Sequence, residues 1–500
     1  MRLPLFLQIC GIASLAMYLP AAHALVRDDH PASRSFFYAG TMGLIVVTLV
    51  ALSMGGRPSR HGPVSQLLSL LATFLLLPAF LAVPLHHALG TTSFMNTYFD
   101  MVSALTTTGA DIFGDPARLV STLHLWRAEV GWLGGLLMWI AASAILAPMS
   151  LGGFEVTARG EPGRGVGGPG EMRRLDPRLR LARVARTLAP IYAALTVVIW
   201  ILLLLLGDDS LTALCHAMSV MATSGISPVG GLSGAQSGVS GEAILFLFMF
   251  FALSRLTFSG DTAVRGYARL DRDPEFRIGL LVVVVLPLLL FLRHWWGALD
   301  ITASEPAVSA LRALWGSLFT VMSFLTTTGF ESADWDTARQ WSGLGTPGLI
   351  LMGLALIGGG VATTAGGVKL LRVYVLYLNG LRELERLVHP SSVGGGGMQG
   401  ARIQKDGAFI AWLFFMLFAL SMAFVTCTLA ALGVTFDQAL VLSIAALSTT
   451  GPLIESVAEN PIRLVELNAA AKGVLCGAMV LGRLETLAIV ALLAPDLWRR

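Results

Sequence analysis

Runs of about 20 consecutive apolar residues recur along this 500-residue chain, and they constrain its fold more than any other feature. Each run is long enough to cross roughly 30 Å of hydrocarbon as a helix. The composition agrees, because 55% of the residues are apolar and only 13% are charged. The sequence therefore predicts an all-α polytopic membrane protein and excludes a single soluble core. The runs lie near residues 36–54, 64–88, 128–150, 187–206, 240–258, 277–296, 347–378, 407–432 and 470–495, with residues 1–25 as a tenth candidate.

The first segment, MRLPLFLQICGIASLAMYLPAAHA, can be interpreted in two ways. Its basic start, its apolar middle and the small residues Ala22 and Ala24 fit a cleaved signal peptide. Residues 36–54 follow closely enough for a helical hairpin with a retained first helix, which is the interpretation we favour. The sequence leaves both open.

Basic residues gather in alternate loops, and by the positive-inside rule these loops are cytoplasmic. The intervening loops are then outside, and both termini are cytoplasmic if the first segment is retained. The basic groups are Arg57 and Arg60; Arg159, Arg164, Arg173, Arg174, Arg178, Arg180, Arg183 and Arg186; Arg265, Arg269 and Arg272; Arg382, Arg386, Arg402 and Lys405; and Arg499 and Arg500.

Several classes of chemistry have no support in the sequence. The four cysteines lie singly in apolar segments without paired or metal-ligand spacing, so we interpret them as core residues with no redox or metal role. No phosphate-binding loop is present, so we predict no organic cofactor, no ATP hydrolysis and no nucleic-acid partner. The motif GLSG (231–234) resembles that of intramembrane serine proteases, but the only histidines after it are His294, at a helix end, and His389, in a cytoplasmic loop. We therefore predict that the chain is not an enzyme.

A fourfold internal repeat becomes visible when Gly109, Gly225, Gly329 and Gly451 are aligned. Each glycine follows an apolar stretch too short to span a bilayer, at 94–105, 210–222, 311–325 and 436–447. A full span flanks the motif on each side. Three repeats have a serine six residues before the glycine, and the fourth has Ala445 instead. A threonine and then a second hydroxyl precede each glycine: Thr107 and Thr108, Thr223 and Ser224, Thr327 and Thr328, and Thr449 and Thr450.

The repeated unit has the chemistry of a cation filter. A half-helix must re-enter, and non-helical backbone at membrane depth is tolerated only where it lines a water-filled path or is buried in protein. Glycine lets successive carbonyls point at one axis, and threonine hydroxyls add neutral oxygen ligands. Such a ring of oxygens replaces the hydration shell of a monovalent cation. One copy alone would be an ordinary helix C-cap, but four copies in one context favour a pore.

Acidic residues follow three of the four motifs and predict an outer mouth that concentrates cations. Ordinary solvated loop charges are an equally compatible interpretation. The residues are Asp111 and Asp115; Glu331, Asp334 and Asp336; and Glu455 and Glu459.

With these motifs the sequence resembles the Trk/Ktr/HKT superfamily of potassium transporters, and among them the Trk-type membrane subunit. The resemblance runs from about residue 64 to the C-terminus. Two departures, ATSGI in the second motif and VATTAGG in the third-repeat loop, bear on ion preference. Further matching stretches are LHLWRAEVGWLGG (123–135), ALCHAMSVMATSGIS (213–227), GGGVATTAGGVKLLR (358–372), LERLVHP (384–390) and AAKGVLCGAMVLGRLE (470–485).

The resemblance implies the substrate, the partners and the location. These are potassium as the permeant ion, the bacterial inner (plasma) membrane, a homodimer with one pore per subunit, and a cytosolic Rossmann-type regulatory subunit binding NAD(H) or ATP/ADP. The linker SSVGGGGMQG (391–400) is flexible enough to contribute to that subunit's contact surface.

The apolar run at 347–378 should be broken, because many glycines held helical would cost about 1 kcal/mol each. The resemblance implies a mobile gate loop here, and close helix packing is the alternative. Lys369 and Arg372 follow, and either belong to the gate or snorkel to the inner face. The interrupting residues are Gly358, Gly359, Gly360, Thr363, Thr364, Gly366 and Gly367.

Arg483 lies near the middle of the last predicted span. Glu485 is two residues away and faces another side of a helix, so the two should not pair. The resemblance places this arginine in the permeation path as part of the gate, and an ion pair with another helix is the alternative. We interpret His216, in the second half-helix, as a core histidine.

We therefore predict a potassium uptake protein built from an N-terminal helix pair and four pore repeats. One glycine per repeat, in contrast to TVGYG, predicts modest potassium-over-sodium selectivity. A less selective Na⁺/K⁺ pathway or an ion-coupled secondary transporter is the alternative. The predicted divisions are 1–62 for the helix pair, 63–186 for repeat 1 with its basic cytoplasmic loop, 187–275 for repeat 2, 276–406 for repeat 3 with the gate loop and linker, and 407–500 for repeat 4.

Overall fold

A computed structural model describes residues 4–54, 63–149, 151, 177–254, 273–296, 306–389, 405–457 and 462–485. Within these residues every regular element is a helix, as predicted. The linker 391–400, Glu459 and many of the basic loop residues lie outside the described residues. Those basic residues are Arg57, Arg60, Arg159, Arg164, Arg173, Arg174, Arg265, Arg269, Arg272, Arg402, Arg499 and Arg500.

The helices of the first half begin with two that are separated only at Met17. Helix α6 continues through a π turn, Ala142–Leu146. These helices are α1 (Leu5–Ala16), α2 (Tyr18–Val26), α3 (His30–Ser53), α4 (Pro63–Leu89), α5 (Phe94–Leu105), α6 (Ser121–Ala141), α7 (Pro177–Leu205), α8 (Ser210–Ala222) and α9 (Gly238–Met249).

In the second half, a non-helical segment at 358–369 separates two helices. The predicted break in the run 347–378 is therefore observed. The helices are α10 (Pro274–Trp296), α11 (Pro306–Leu325), α12 (Trp335–Ser342), α13 (Gly348–Ile357), α14 (Leu370–Val388), α15 (Lys405–Ala431), α16 (Phe436–Leu447), α17 (Leu453–Val457) and α18 (Ala469–Leu484).

Eight of the described helical segments are long and apolar enough to cross a membrane. One departure from the prediction is α11, which begins at Pro306 instead of 311 and is itself long enough to span. Its extra turn begins with a proline, which the first turn of a helix tolerates, and then contains residues compatible with a helix. The predicted spans 240–258 and 470–495 extend beyond the described residues at 255–258 and 486–495. Within the described residues, α9 ends at Met249 and is followed by a 3₁₀ turn, Phe250–Ala252, and α18 ends at Leu484.

The helix order around the centre is closed. Four helices, α5, α8, α11 and α16, each precede one of the hydroxyl–glycine turns, and each forms a group with the helices that flank it in the chain. Each of these four helices packs against its flanking helices, and the last helix of each group packs against the turn-preceding helix of the next group. These inter-group pairs are α6 with α8, α9 with α11, α13 with α16, and α18 with α5. The last pair joins the fourth group to the first, so the contacts between the groups form a closed ring.

Glycines allow two of the spans to approach the turn-preceding helices closely. A Cβ on Gly134 of α6 would lie 2.0 Å from the carbonyl oxygen of Leu105, the last residue of α5. A Cβ on Gly482 of α18 would lie 2.3 Å from the carbonyl oxygen of Leu447, the last residue of α16. Small residues at such crossings let helix backbones touch.

Candidate functional site

Each of the four turn-preceding helices ends in the same way. The threonine two residues before the repeat glycine adopts a left-handed conformation, with φ of 56° at Thr107, 51° at Thr223, 56° at Thr327 and 54° at Thr449. The next N–H then bonds back to a carbonyl five residues earlier, which is the Schellman pattern. The distances are 2.8 Å from Thr108 to Ser103, 2.9 Å from Ser224 to Ser219, 2.9 Å from Thr328 to Ser323, and 2.9 Å from Thr450 to Ala445.

This geometry explains the irregular fourth repeat. The capping group is the backbone carbonyl of the residue six before the glycine, so Ala445 serves as well as a serine. A β-branched residue in the left-handed region is rare and costs roughly 1–2 kcal/mol. Strained backbone of this kind persists only where the surroundings impose it, and it clusters at ligand clamps. Four strained threonines at equivalent positions therefore indicate a shared functional requirement.

The four turns touch each other in a closed ring, which we call the turn ring (residues 106–110, 223–226, 326–330 and 448–452). At each glycine the neighbouring turn is too close for a side chain. An added Cβ would lie 1.7 Å from Ser224 O at Gly109, 2.4 Å from Thr328 O at Gly225, 2.9 Å from Pro452 Cγ at Gly329, and 2.1 Å from Ala110 N at Gly451.

The fourth turn departs from the other three. Gly109, Gly225 and Gly329 have φ of 70°, 66° and 85°, whereas Gly451 does not adopt a positive φ. Pro452 follows Gly451 and restricts its backbone, which is a signal that the sequence already contained. As a result the N–H of Gly451 donates to the carbonyl of Thr108 at 2.6 Å, which links the fourth turn to the neighbouring first turn.

The hydroxyls of the four left-handed threonines have different hydrogen-bond partners. Those of Thr107 and Thr449 are buried and have no hydrogen-bond partner within the described residues. Thr223 donates to the carbonyl of Ala222 at 2.7 Å. Thr327 accepts from the N–H of Gly366 at 2.7 Å. Two buried oxygens are thus left available to a ligand.

The non-helical segment 358–369, which we call the gate loop, lies directly against the turn ring. Thr364 donates to the carbonyl of Met221 at 3.3 Å. A Cβ on Gly366 would lie 2.1 Å from Ser448 O and 2.3 Å from Thr449 Oγ1. The predicted gate residues and the predicted filter residues therefore meet, although they are far apart in sequence.

The other side of the gate loop is held by backbone hydrogen bonds. The N–H of Gly360 donates to Ala252 O at 2.9 Å. The N–H of Val361 donates to Glu275 Oε1 at 3.0 Å, and Glu275 is buried. Ala362 and Lys369 have φ of 58° and 85°, so the loop stores further backbone strain.

Four charged residues surround the end of the gate loop. Arg483 donates through Nη1 to the carbonyl of Thr364 at 2.6 Å, and its Nε and Nη2 have no partner within the described residues. As predicted, Arg483 does not pair with Glu485, which instead forms an ion pair with Arg372 at 2.6 Å. Of the two alternatives for Lys369 and Arg372, snorkelling to the inner face is not observed. Both are buried, because Lys369 donates to the carbonyl of Ala365 and Arg372 has its carboxylate partner inside the protein.

Sequence reasoning missed a buried ion-pair cluster behind the first turn. Arg127 of α6 lies 3.0 Å from Asp100 of α5 and 3.1 Å from Asp111, which follows the turn. Arg127 and Asp100 are only 3% and 1% exposed, so neither charge is solvated. Charged residues inside apolar helices were the signal that could have revealed them.

Glu242 of α9 was also missed, and it ties the second group of helices to the third. Its carboxylate accepts hydrogen bonds from Trp315 Nε1 at 2.8 Å, Ser332 Oγ at 2.7 Å and the N–H of Ala333 at 2.7 Å. Ser332 and Ala333 follow the third turn directly. His216, as expected, is a buried histidine, 2.9 Å from Ser227 Oγ through Nε2.

We expect Glu242→Ala to lower the free energy of unfolding by roughly 1–3 kcal/mol, because it removes the acceptor of one buried hydrogen bond, from Ser332, and of two partly buried ones, from Trp315 and Ala333. Glu242→Gln retains one carbonyl acceptor and should lose less. The measurement is the thermal unfolding midpoint of the purified protein in detergent. Equal midpoints for Glu242→Ala and wild type would show that the hydrogen bonds of Glu242 contribute nothing to stability.

Comparison with known proteins identifies a matching family and several relatives of this chain. The family model for TrkH, described as a cation transport protein, matches residues 242–499. The Trk system potassium uptake protein TrkH of Salmonella typhimurium is 29% identical over 97% of this chain and 96% of its own length. TrkH of Vibrio parahaemolyticus is 31% identical over 81% of this chain and 80% of its own length.

A solved structure agrees with these relatives. The crystal structure of the potassium transporter TrkH from Vibrio parahaemolyticus aligns over 99% of this chain and 98% of that chain, with a TM-score of 0.81 and 26% identity. The matched proteins are transporters and not enzymes. The chain, with its multi-pass helical architecture, belongs to the TrkH family of cation transport proteins.

Proposed function

We propose that this protein carries potassium into the cell through the centre of the turn ring. The relatives named above are potassium uptake proteins, and the ring closes around one axis with glycine at every contact. The observation that carries the proposal is the pair of buried hydroxyls, Thr107 and Thr449, which have no partner within the described residues. Neutral oxygens of this kind suit a dehydrated monovalent cation.

The proposed filter comprises the twelve residues of the four motifs, one Thr-Thr-Gly or Thr-Ser-Gly per repeat. Three of its glycines share a left-handed conformation and the fourth does not. One carbonyl, that of Thr108, is engaged by Gly451. An ion would therefore meet unequal oxygens, which agrees with the expectation of modest selectivity.

We propose that the gate loop closes the path beneath the filter and that Arg483 adds a positive charge there. The support is the contact of the loop with the third and fourth turns and with Met221 near the end of α8, together with the hydrogen bond from Arg483 to Thr364. Opening would require the loop to leave the ring. Lys369 lies on the same loop and would move with it.

The remaining parts of the proposal rest on the family. They are a homodimer, a cytosolic nucleotide-binding regulatory subunit on the basic face, cytoplasmic termini, and the repeat divisions given above. The membrane itself is indicated by the eight apolar helices, several of which expose large apolar side chains such as Phe37, Leu281 and Phe424.

The test is uptake of radioactive rubidium into proteoliposomes that contain the purified full chain. Competition by potassium that is much stronger than competition by sodium would support the proposal. Equal competition by both ions would favour the less selective Na⁺/K⁺ pathway. An inward proton or sodium gradient that drives uptake would favour an ion-coupled transporter.

We also expect uptake at low potassium to fall as the external pH falls from about 8 to about 6. Partial desolvation and then the charge of Asp111 raise the pKa of Glu455 to about 7, although its side chain reaches solvent. Burial raises the pKa of Glu331 as well. Protons therefore neutralise Glu455 within this pH range, and the raised pKa of Glu331 acts in the same direction, so the proposed outer mouth attracts cations less strongly at the lower pH.

The check is rubidium uptake as a function of external pH, at potassium concentrations below half-saturation. The double variant Glu331→Gln and Glu455→Gln should transport at the low-pH rate throughout. Glu383→Gln is the control, because Glu383 is exposed and pairs with Arg386 on the surface of α14, outside the proposed mouth. An unchanged pH profile in the double variant would assign the dependence to other groups.

A further inference from the structure

The gate loop contacts the turn ring through one side-chain oxygen of the proposed filter. The N–H of Gly366 donates to Thr327 Oγ1 at 2.7 Å, whereas the hydroxyls of Thr107 and Thr449 have no partner within the described residues. The four threonines share one backbone conformation. The difference between them therefore arises from the loop and not from the turns.

We propose that the Thr327 hydroxyl is a latch that holds the gate loop closed, and that a cation at the inner end of the filter competes with Gly366 for this oxygen. The inference rests on the proposed function, because it takes the ring as the ion path and residues 358–369 as its gate. Thr327 would thus be a positioning residue for the gate as well as a filter residue.

The geometry of Gly366 makes the latch specific to the closed loop. The backbone at Gly366 is pressed against Ser448 and Thr449, where an added Cβ would lie 2.1 Å and 2.3 Å from their oxygens. A residue packed this tightly cannot keep the hydrogen bond to Thr327 while the loop withdraws. Loss of the bond and opening are therefore one event.

Electrostatics opposes simultaneous occupation of the oxygen by the N–H group and by a cation. The hydroxyl has two lone pairs, but the N–H hydrogen on one of them carries partial positive charge. The guanidinium of Arg483, which donates to Thr364 on the same loop, adds a full positive charge nearby. A cation at this level weakens the latch, and by linkage the closed loop weakens cation binding to the same degree.

The test uses a cysteine at Val361, which is 0% exposed in the closed loop and contributes only its backbone N–H to Glu275. The native cysteines Cys10, Cys215, Cys427 and Cys476 are first replaced by alanine in the full chain. The rate of maleimide modification of Val361→Cys, in purified protein in detergent, then reports how often the loop leaves the ring.

Thr327→Val should increase this rate by at least about fivefold, because it removes the acceptor but preserves the β-branched shape. Thr73→Val is the matched control: it removes a buried threonine hydroxyl that bonds within α4 to the carbonyl of Ser69, away from the loop and the turn ring, and it should change the rate by no more than about twofold. Thr327→Ser should behave like wild type, and Thr327→Ala like Thr327→Val. Replacing potassium by N-methylglucamine should slow modification in wild type but not in Thr327→Val.

Equal rates in Thr327→Val and Thr73→Val would overturn the latch. Potassium-sensitive rubidium uptake, measured separately on the cysteine-replaced protein, tests the proposed function. Uptake without a change in thiol reactivity would reject the latch alone, and absence of uptake would count against the ion path itself.

Discussion

Gly109→Ala should reduce potassium-sensitive rubidium uptake by at least about tenfold, because the added methyl group has to displace the neighbouring turn. Its Cβ would lie 1.7 Å from the carbonyl oxygen of Ser224, which is backbone and cannot rotate away. The displacement opens the turn ring between repeats 1 and 2, where the proposed filter oxygens lie. The measurement is initial uptake per mole of reconstituted protein.

Gly90→Ala is the matched control for this variant. Gly90 has φ of 61°, close to the 70° of Gly109, so alanine has a similar backbone penalty of about 1 kcal/mol at both positions. Nothing lies within 4 Å of an added Cβ at Gly90. Equal uptake by the two variants would contradict the close-contact ring. Size-exclusion profiles of both proteins separate a transport defect from misfolding.

Arg127→Gln should lower the free energy of unfolding by about 3–5 kcal/mol, because Asp100 would become a buried charge without a partner. Asp100 is 1% exposed and lies 3.0 Å from Arg127. The double variant Arg127→Gln and Asp100→Asn removes both charges and should recover much of the loss. The thermal unfolding midpoint and the yield of monodisperse protein measure both effects.

An exposed ion pair provides the comparison for this cluster. Arg463 and Glu466 are 71% and 66% exposed and lie 3.2 Å apart. Arg463→Gln should therefore change stability by no more than about 1 kcal/mol, since water solvates the remaining charge. If Arg127→Gln were equally mild, the cluster would not hold the first turn in place. If the double variant were no better than the single one, the loss would come from packing and not from the unpaired charge.

Local sequence rules were sufficient for elements whose conformation depends on near neighbours. The apolar runs predicted the helices, and the glycines of 358–367 predicted the break between α13 and α14, because helix formation is limited by the residues within the segment itself. The prediction that Arg483 does not pair with Glu485 was also correct, because it depended only on their spacing of two residues along the chain. The start of α11 was misplaced, since helix ends depend on a few weakly preferring residues.

The assignment of individual roles needed contacts between distant segments. Arg372 and Glu485 are 113 residues apart and pair inside the protein, so the sequence alone could not decide between a buried and a snorkelling arginine. The four threonines look equivalent in the sequence, yet only Thr327 accepts a hydrogen bond from the gate loop. No local pattern distinguishes it from Thr107.

The sequence by itself determined that this protein is helical, that it belongs in a membrane, and that four hydroxyl–glycine turns recur at equivalent positions. These properties follow from apolar length and local backbone preference, which each segment carries alone. Only the tertiary structure decided the order of contacts around the turn ring and the hydrogen bond from Gly451 of the fourth turn to the carbonyl of Thr108. It also decided the partners of Arg127, Glu242 and Thr327. Those depend on which segments packing brings within a few ångströms of each other, and that information is distributed over the whole chain.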